Sequence, residues 1–394
     1  MLDPIIAFFQ SVFAAIGKGI GYVIGVLLWP FLAFGRWYKA RSWLVRVPVA
    51  IVVLIIIAGY LHLIWITQVW SGFDRTVATN YAPSRAAVAS VSQPGQPVTA
   101  QATQPVGQTD GGADQTPGSD VGGNSCAPSQ IALAVADLID FNVNQNSWVS
   151  SQPLYKMGLF FVADWKDTPF FDNKASFQLG INQVTRRTAI ELVDRLGRVR
   201  GTSSINSRLQ DARTFANYNE DAWTLTISPP FIQPSTQSRL RDARTAFLAF
   251  NEELVSCEAD FDARADNLLQ FIDRITADVG STSEILQRQM QQSNFMGFDR
   301  RADDRFWFTY GQLYAYHSVL SGVRSDFAQV FDQRNLEALW TRIDDQLTDA
   351  LRVSPPIVAN GSPSSLIKSH LESIGFDLLR VRSNLVEIRD VLDR

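Results

Sequence analysis

Residues 367–392 read IKSHLESIGFDLLRVRSNLVEIRDVL. Ile367, Leu371, Ile374, Leu378, Val381, Leu385, Ile388 and Leu392 recur at alternating spacings of four and three. Side chains three and four apart stack on one side of a helix, whereas a strand repeats every two, so the stretch predicts a helix with a narrow apolar seam. The same spacing runs from Leu240 through Ala243, Phe247, Phe250, Leu254, Cys257, Phe261, Leu268, Phe271 and Ile275 to Gly280. Unbroken, that helix would measure about 60 Å. Seams of this length belong to coiled coils or extended antiparallel bundles.

The neighbouring segments agree. Asp304–Gln333 is an aromatic-rich helical pattern (Phe306, Trp307, Phe308, Tyr310, Tyr314, Tyr316), and Leu336–Leu351 is another, closed by Pro355-Pro356. Lys174–Arg198 is amphipathic, with Phe177, Ile181, Val184, Thr188 and Leu192 on one face. Ser129 is a suitable N-cap for a helix carrying Ile131, Val135, Leu138 and Ile139. Strand-like alternation occurs only in DAWTLTISPPFIQPS (221–235), where three prolines confine it to a loop or an edge. Residues 129–394 therefore read as an all-helical domain.

Towards the N-terminus, Val47–Trp70 reads VPVAIVVLIIIAGYLHLIWITQVW. Residues 47–66 carry no formal charge, and twenty helical residues cross about 30 Å of hydrocarbon. Pro48 is expected in the first turn, where its missing N–H costs nothing, and Trp65 and Trp70 at the far end as an aromatic belt. Arg36, Lys39, Arg41 and Arg46 precede the span, while only Arg75 and Arg85 follow it closely. That asymmetry places the basic turn 36–46 in the cytoplasm and the remainder on the other side. Residues 1–35 form a further apolar segment, either a second span or an interfacial helix, with Gly17, Gly21 and Gly25 at small-xxx-small spacing for helix packing. Residues 81–128, rich in Pro, Gly and Gln, read as a disordered linker.

Composition narrows the chemistry. The 394 residues are 46% apolar and 19% charged, with a net charge of −4. Residues 129–394 hold 28 basic and 34 acidic side chains, which argues against nucleic acid as a partner. Two cysteines and three histidines leave no ligand spacing for zinc, and no nucleophile elbow or phosphate loop is present. Cys126 and Cys257 could pair outside the cytoplasm, or Cys257 could serve as a small hydrophobe on the long seam. Asp262 and Asp266, with Arg264 nearby, read as a solvated, ion-paired helix face. Asn360-Gly361-Ser362 reads as a turn before a helix capped at Ser364 or Ser365 rather than as a glycosylation site.

Several stretches resemble the bacterial membrane-anchored family catalogued as domain of unknown function 2333. They are ARADNLLQFIDRI (263–275), FDRRADDRFWFTYGQLYAYHSVLSGVRSDFAQVF (298–331), PPIVANGSPSSLIKSHL (355–371), LVEIRDVL (385–392) and, more weakly, 138–165. The resemblance implies a short N-terminal anchor and a helical extracytoplasmic region, and brings no catalytic residues.

The expectation is thus a mainly α chain with a transmembrane anchor (47–70), a disordered linker (81–128) and an extended helical-bundle or coiled-coil-like domain (129–394). Its expected role is a non-catalytic structural or interaction protein of the bacterial inner membrane, with that domain in the periplasm. The expected partners are the lipid bilayer and an envelope protein or a second copy; no cofactor is expected. Two alternatives compete. One is a periplasmic binding module for a small ligand or cell-wall fragment, its groove lined by the 306–316 aromatics, Trp148 and Trp165. The other is a hydrolase using Asp299, Asp303 and Asp304.

Overall fold

In chain order the helices are α1 (Trp43–Gln68), α2 (Gln130–Asp140), α3 (Asn173–Glu191), α4 (Ser207–Ala216), α5 (Thr236–Val255), α6 (Ala265–Met290), α7 (Ala302–Asp326), α8 (Ala328–Arg334), α9 (Glu337–Arg352) and α10 (His370–Leu392). The computed structural model describes residues 22, 25, 26, 28–81 and 126–394, less 159–163, 166, 167, 169, 170, 200–203, 227, 228, 293–298, 300, 363, 364 and 366. The fold is mainly α, in two units, Met1–Leu63 and Ile64–Arg394.

In the first unit, helical residues 28–39 and a turn at 40–42 precede α1. α1 is long and apolar enough to cross a membrane. It begins at Trp43, so Pro48 lies inside the helix rather than in its first turn. The helix extends back over Trp43–Arg46, and the Leu44 carbonyl loses the N–H that any other residue at 48 would supply. Val47, Leu54 and Ile55 are exposed along it. Arg36 and Arg41 are exposed, and Arg46 turns back to donate Nε to Tyr38 O (3.2 Å) and Nη2 to Lys39 O. Gly25 has no neighbour within 4 Å. Gly17, Gly21 and most of the 1–35 segment lie outside the described residues, as does nearly all of the 81–128 linker.

The second unit is built around α7. From Phe306 to Val323 every side chain but Phe308 is buried, as expected of a helix packed on all sides. α3, α2, α9 and α10 pack against it; α5 joins α2 and α4, and α6 lies along α10. The seam of α10 is as read from the sequence. Leu371, Ile374, Leu378, Val381, Leu385, Ile388 and Leu392 are buried, while Ile367 stands exposed ahead of the helix. Ser369, rather than Ser364 or Ser365, is its cap, accepting from Glu372 N.

The long seam from Leu240 is two helices. α5 ends at Val255 with Cys257 in the left-handed region (φ 63), and β2 (Ala259–Phe261) follows before α6 restarts the helix at Ala265. β2 pairs antiparallel with β1 (Gly197–Val199), Gly197 opposite Phe261. Strands of three residues are too short to show alternation. Cys257 forms a disulfide with Cys126, Cα–Cα 5.3 Å, so it is no buried thiol on a helical seam. The 221–235 stretch is a hairpin, with Leu225 paired to Ile232 and a cis Pro229-Pro230 bond.

Residues on both sides of the linker belong to this unit. Tyr81 is buried, donates its hydroxyl to Asp137 Oδ2 (2.9 Å) and accepts at its carbonyl from Ser325 Oγ. Beyond the linker, Ser129 caps α2 as expected (from Ala132 N, 3.2 Å) and donates Oγ to Asp326 Oδ2 (2.6 Å). Asp326 also accepts from Gln130 N (2.7 Å) and Ile131 N (3.0 Å). The linker therefore departs from and returns to the same place, the C-terminal end of α7.

Candidate functional site

Gly180 and Gly311 bring α3 and α7 into backbone contact. A Cβ at Gly180 would lie 2.1 Å from Phe308 O, and one at Gly311 2.2 Å from Phe177 O. The two helices run parallel, so their N-terminal ends bring together Asp172, Ser176, Asp303 and Asp304. Ser176 Oγ donates to Asp304 Oδ1 (2.8 Å). Asp172 (0% exposed) and Asp303 (3%) are buried, with no cation paired to either among the described residues. Burial, and then the charges of Asp303 and Asp304, holds the Asp172 carboxyl far above the usual carboxylate range. Burial and the charge of Asp304 push Asp303 up to about 7, opposed by the backbone N–H groups at 303 and 304. The partial positive charge at two helix N-termini makes this crowding tolerable.

A cleft of about 390 Å³ adjoins the cluster, lined by Ser150, Tyr155, Ser176, Glu220, Asp304 and Phe308 among others. Of the clustered carboxyls only Asp304 lines it. Buried protonated carboxyls can donate a hydrogen bond or a proton, but Ser176 has no histidine beside it. His317 is paired with Asp344 (2.9 Å), and His370 Nδ1 accepts from Ala359 N (3.0 Å).

Next to the cluster, the chain leaving α1 is bound into the unit. Lys174 Nζ donates to Val69 O (2.7 Å), and burial pushes this amine down to about 8. Ser71 N donates to Asn146 Oδ1 (3.1 Å), and Asn146 Nδ2 donates back to Ser71 O (2.8 Å). Trp70 stacks against Phe177 (4.9 Å between centroids) and edge-on to Trp307 (5.2 Å), and Phe73 lies 5.5 Å from Tyr314. Trp70 therefore packs with the aromatic rings of the helical unit, whereas Trp65 is exposed on α1.

The other sequence candidates separate. Asp299 does not join Ser176 and Asp304; it accepts from Gln289 Nε2 (2.7 Å) and Asn360 Nδ2 (2.8 Å), clamping two loops. Asn360 is fully buried in that clamp. Asp262 lies between β2 and α6 rather than on a helix, and pairs with Arg264 at 2.8 Å on the surface. The aromatics proposed to line a groove are core: Tyr310 donates to Leu351 O, Tyr316 to Asp278 Oδ2, Trp148 to Glu220 O and Trp165 to Leu154 O. Sequence reading missed Asp172, Lys174 and Asp278. Asp172 sits where a helix cap belongs, so it looked ordinary, yet its side chain makes no cap bond.

Residues 140–299 match the sequence profile of a family described as "Uncharacterized protein conserved in bacteria (DUF2333)". The stretch 263–275 and most of 138–165 fall inside the match, whereas 355–371 and 385–392 lie beyond it. No curated protein and no solved structure matches the chain.

Proposed function

We propose that this chain, a DUF2333 protein by its residues 140–299, is an inner-membrane-anchored, non-catalytic interaction protein of the bacterial envelope, presenting its helical unit in the periplasm. The observation that carries the reading is the Cys126–Cys257 disulfide. Disulfides persist in oxidising compartments and are rare in the cytosol. The bond lies on the far side of α1 from Arg36, Lys39, Arg41 and Arg46, the side to which positive-inside bias would send the unit. Two unrelated features thus support one orientation. The segment 69–81 packs into the unit directly, so a partner would be met close to the bilayer rather than at the end of a long tether.

Compartment reporters fused after residue 394, with thiol alkylation of cells before lysis, test the orientation. The expected outcome is a reporter active only outside the cytoplasm and cysteines blocked until reduction. A cytoplasmic reporter or free thiols in cells would overturn the reading. In-cell cross-linking should then recover one dominant envelope protein, or the chain itself.

A second reading, a binding module for a small ligand or cell-wall fragment, draws on the cleft beside Asp304. A thermal-shift screen with envelope metabolites tests it, and Asp304→Asn should abolish any shift.

A further inference from the structure

We infer that the hairpin Trp223–Gln233 dips its apolar tip into the outer leaflet of the bilayer that α1 spans, as a second membrane contact; this rests on the anchoring proposed above. The hairpin is held by Thr226 N to Phe231 O and Gln233 N to Thr224 O (both 3.0 Å), with Thr226 Oγ1 on Pro230 O (2.6 Å). It buries little of its apolar surface. Leu225 is 57% exposed, Phe231 61% and Ile232 72%, with Trp223 at the base 37% exposed. From Ala222 to Ser238 the sequence has no charged residue, in a unit otherwise dense in them. Edge strands that face water are ordinarily blunted with charge, whereas an exposed apolar tip without charge matches an interface with lipid, and a tryptophan near its base matches the headgroup level.

The hairpin's base is tied to the place where α1 runs out. Ile64–Gln68 are the last residues of α1 and belong to the same unit as the hairpin. Ser71, three residues on, exchanges two hydrogen bonds with Asn146. Trp148, two residues further, donates Nε1 to Glu220 O (2.8 Å), and Thr236 Oγ1 closes the hairpin on Asn219 O (2.7 Å) and Ala222 O (3.1 Å). Lys156 Nζ donates to Asp221 O beside this base, where an amine can reach lipid phosphate while its stem stays against protein. A bilayer is the one apolar surface that α1 itself supplies at this end of the unit, which is why lipid is favoured over a protein groove.

The test uses the full chain in phosphatidylcholine nanodiscs, its native cysteines left bridged. A single cysteine is placed at Leu54, Phe231, Ile232 or Asp390 and labelled with an environment-sensitive fluorophore. Labels at 54, 231 and 232 are expected to be quenched by spin-labelled lipid and shielded from iodide, with the label at 390 the reverse. If 54 is lipid-quenched while 231 and 232 behave like 390, the hairpin inference falls and the anchor stands. If 54 is not lipid-quenched, the anchor itself fails and the inference with it. Shielding of 231 and 232 from both quenchers would mean that protein, a second copy included, covers the tip, and would also overturn the inference.

Discussion

Asp172 and Asp303 are carboxyls that the fold keeps from ionising freely, and this sets a sign for stability against pH. A carboxyl whose pKa is raised on folding binds more protons folded than unfolded, so stability falls as pH rises from about 4 to the folded value. For Asp303 that value is about 7, and for Asp172 the shift runs in the same direction. Melting temperature should therefore decline between pH 5 and pH 8. Asp172→Asn should flatten the profile and stabilise the protein by roughly 1–3 kcal/mol at pH 8, by relieving an uncompensated buried charge; calorimetry across that range checks it. Gly311 carries the opposite kind of constraint. With no room between its Cα and Phe177 O, Gly311→Ala should cost roughly 3 kcal/mol in chemical denaturation by forcing α3 and α7 apart. Neither residue announced itself in the sequence. Asp172 looks like a cap, and a glycine inside an aromatic helix reads only as a poor helix former until the partner backbone is known.

At the scale of elements, periodicity was most readable where a helix faces one partner along its length. α10 is such a case, and its seam was legible to the residue apart from Ile367. The long seam from Leu240 misled for a physical reason: core-facing side chains continue through the break. Leu254 closes α5 and Leu268 opens the buried face of α6, both fully or nearly buried, while Cys257 at φ 63 turns the chain between them. Spacing records which side faces the core, not whether the backbone stays helical. The disulfide fixes that turn and closes 131 residues of chain. Reduction, or Cys257→Ser, should therefore lower unfolding free energy by about 3–5 kcal/mol, measured by urea titration with and without reductant. α7 shows the converse limit: buried all round, it has no polar face for periodicity to reveal, and only its aromatic density marked it as core.

For the whole molecule, the sequence showed where the chain changes character but not how the pieces connect. An apolar span, a polar linker and a helical region follow each other in order, and the simplest inference is a tether with a domain at its end. The fold instead draws 69–81 into the helical unit ahead of the linker, through Lys174, Asn146 and the rings around Trp70 and Phe73. No local pattern signals this, because the partners lie far away along the chain. Replacing residues 84–122 with a short Gly/Ser connection should leave the melting temperature and membrane retention of the protein unchanged, whereas Trp70→Ala should lower the former by removing a buried aromatic contact. The closed excursion from Tyr81 to Ser129 carries a last consequence. A protease that nicks this stretch releases no soluble ectodomain, since the N-terminal fragment stays gripped by the helices it entered before the cut. Shedding from the cell surface would require cleavage upstream of Val69, within α1 itself.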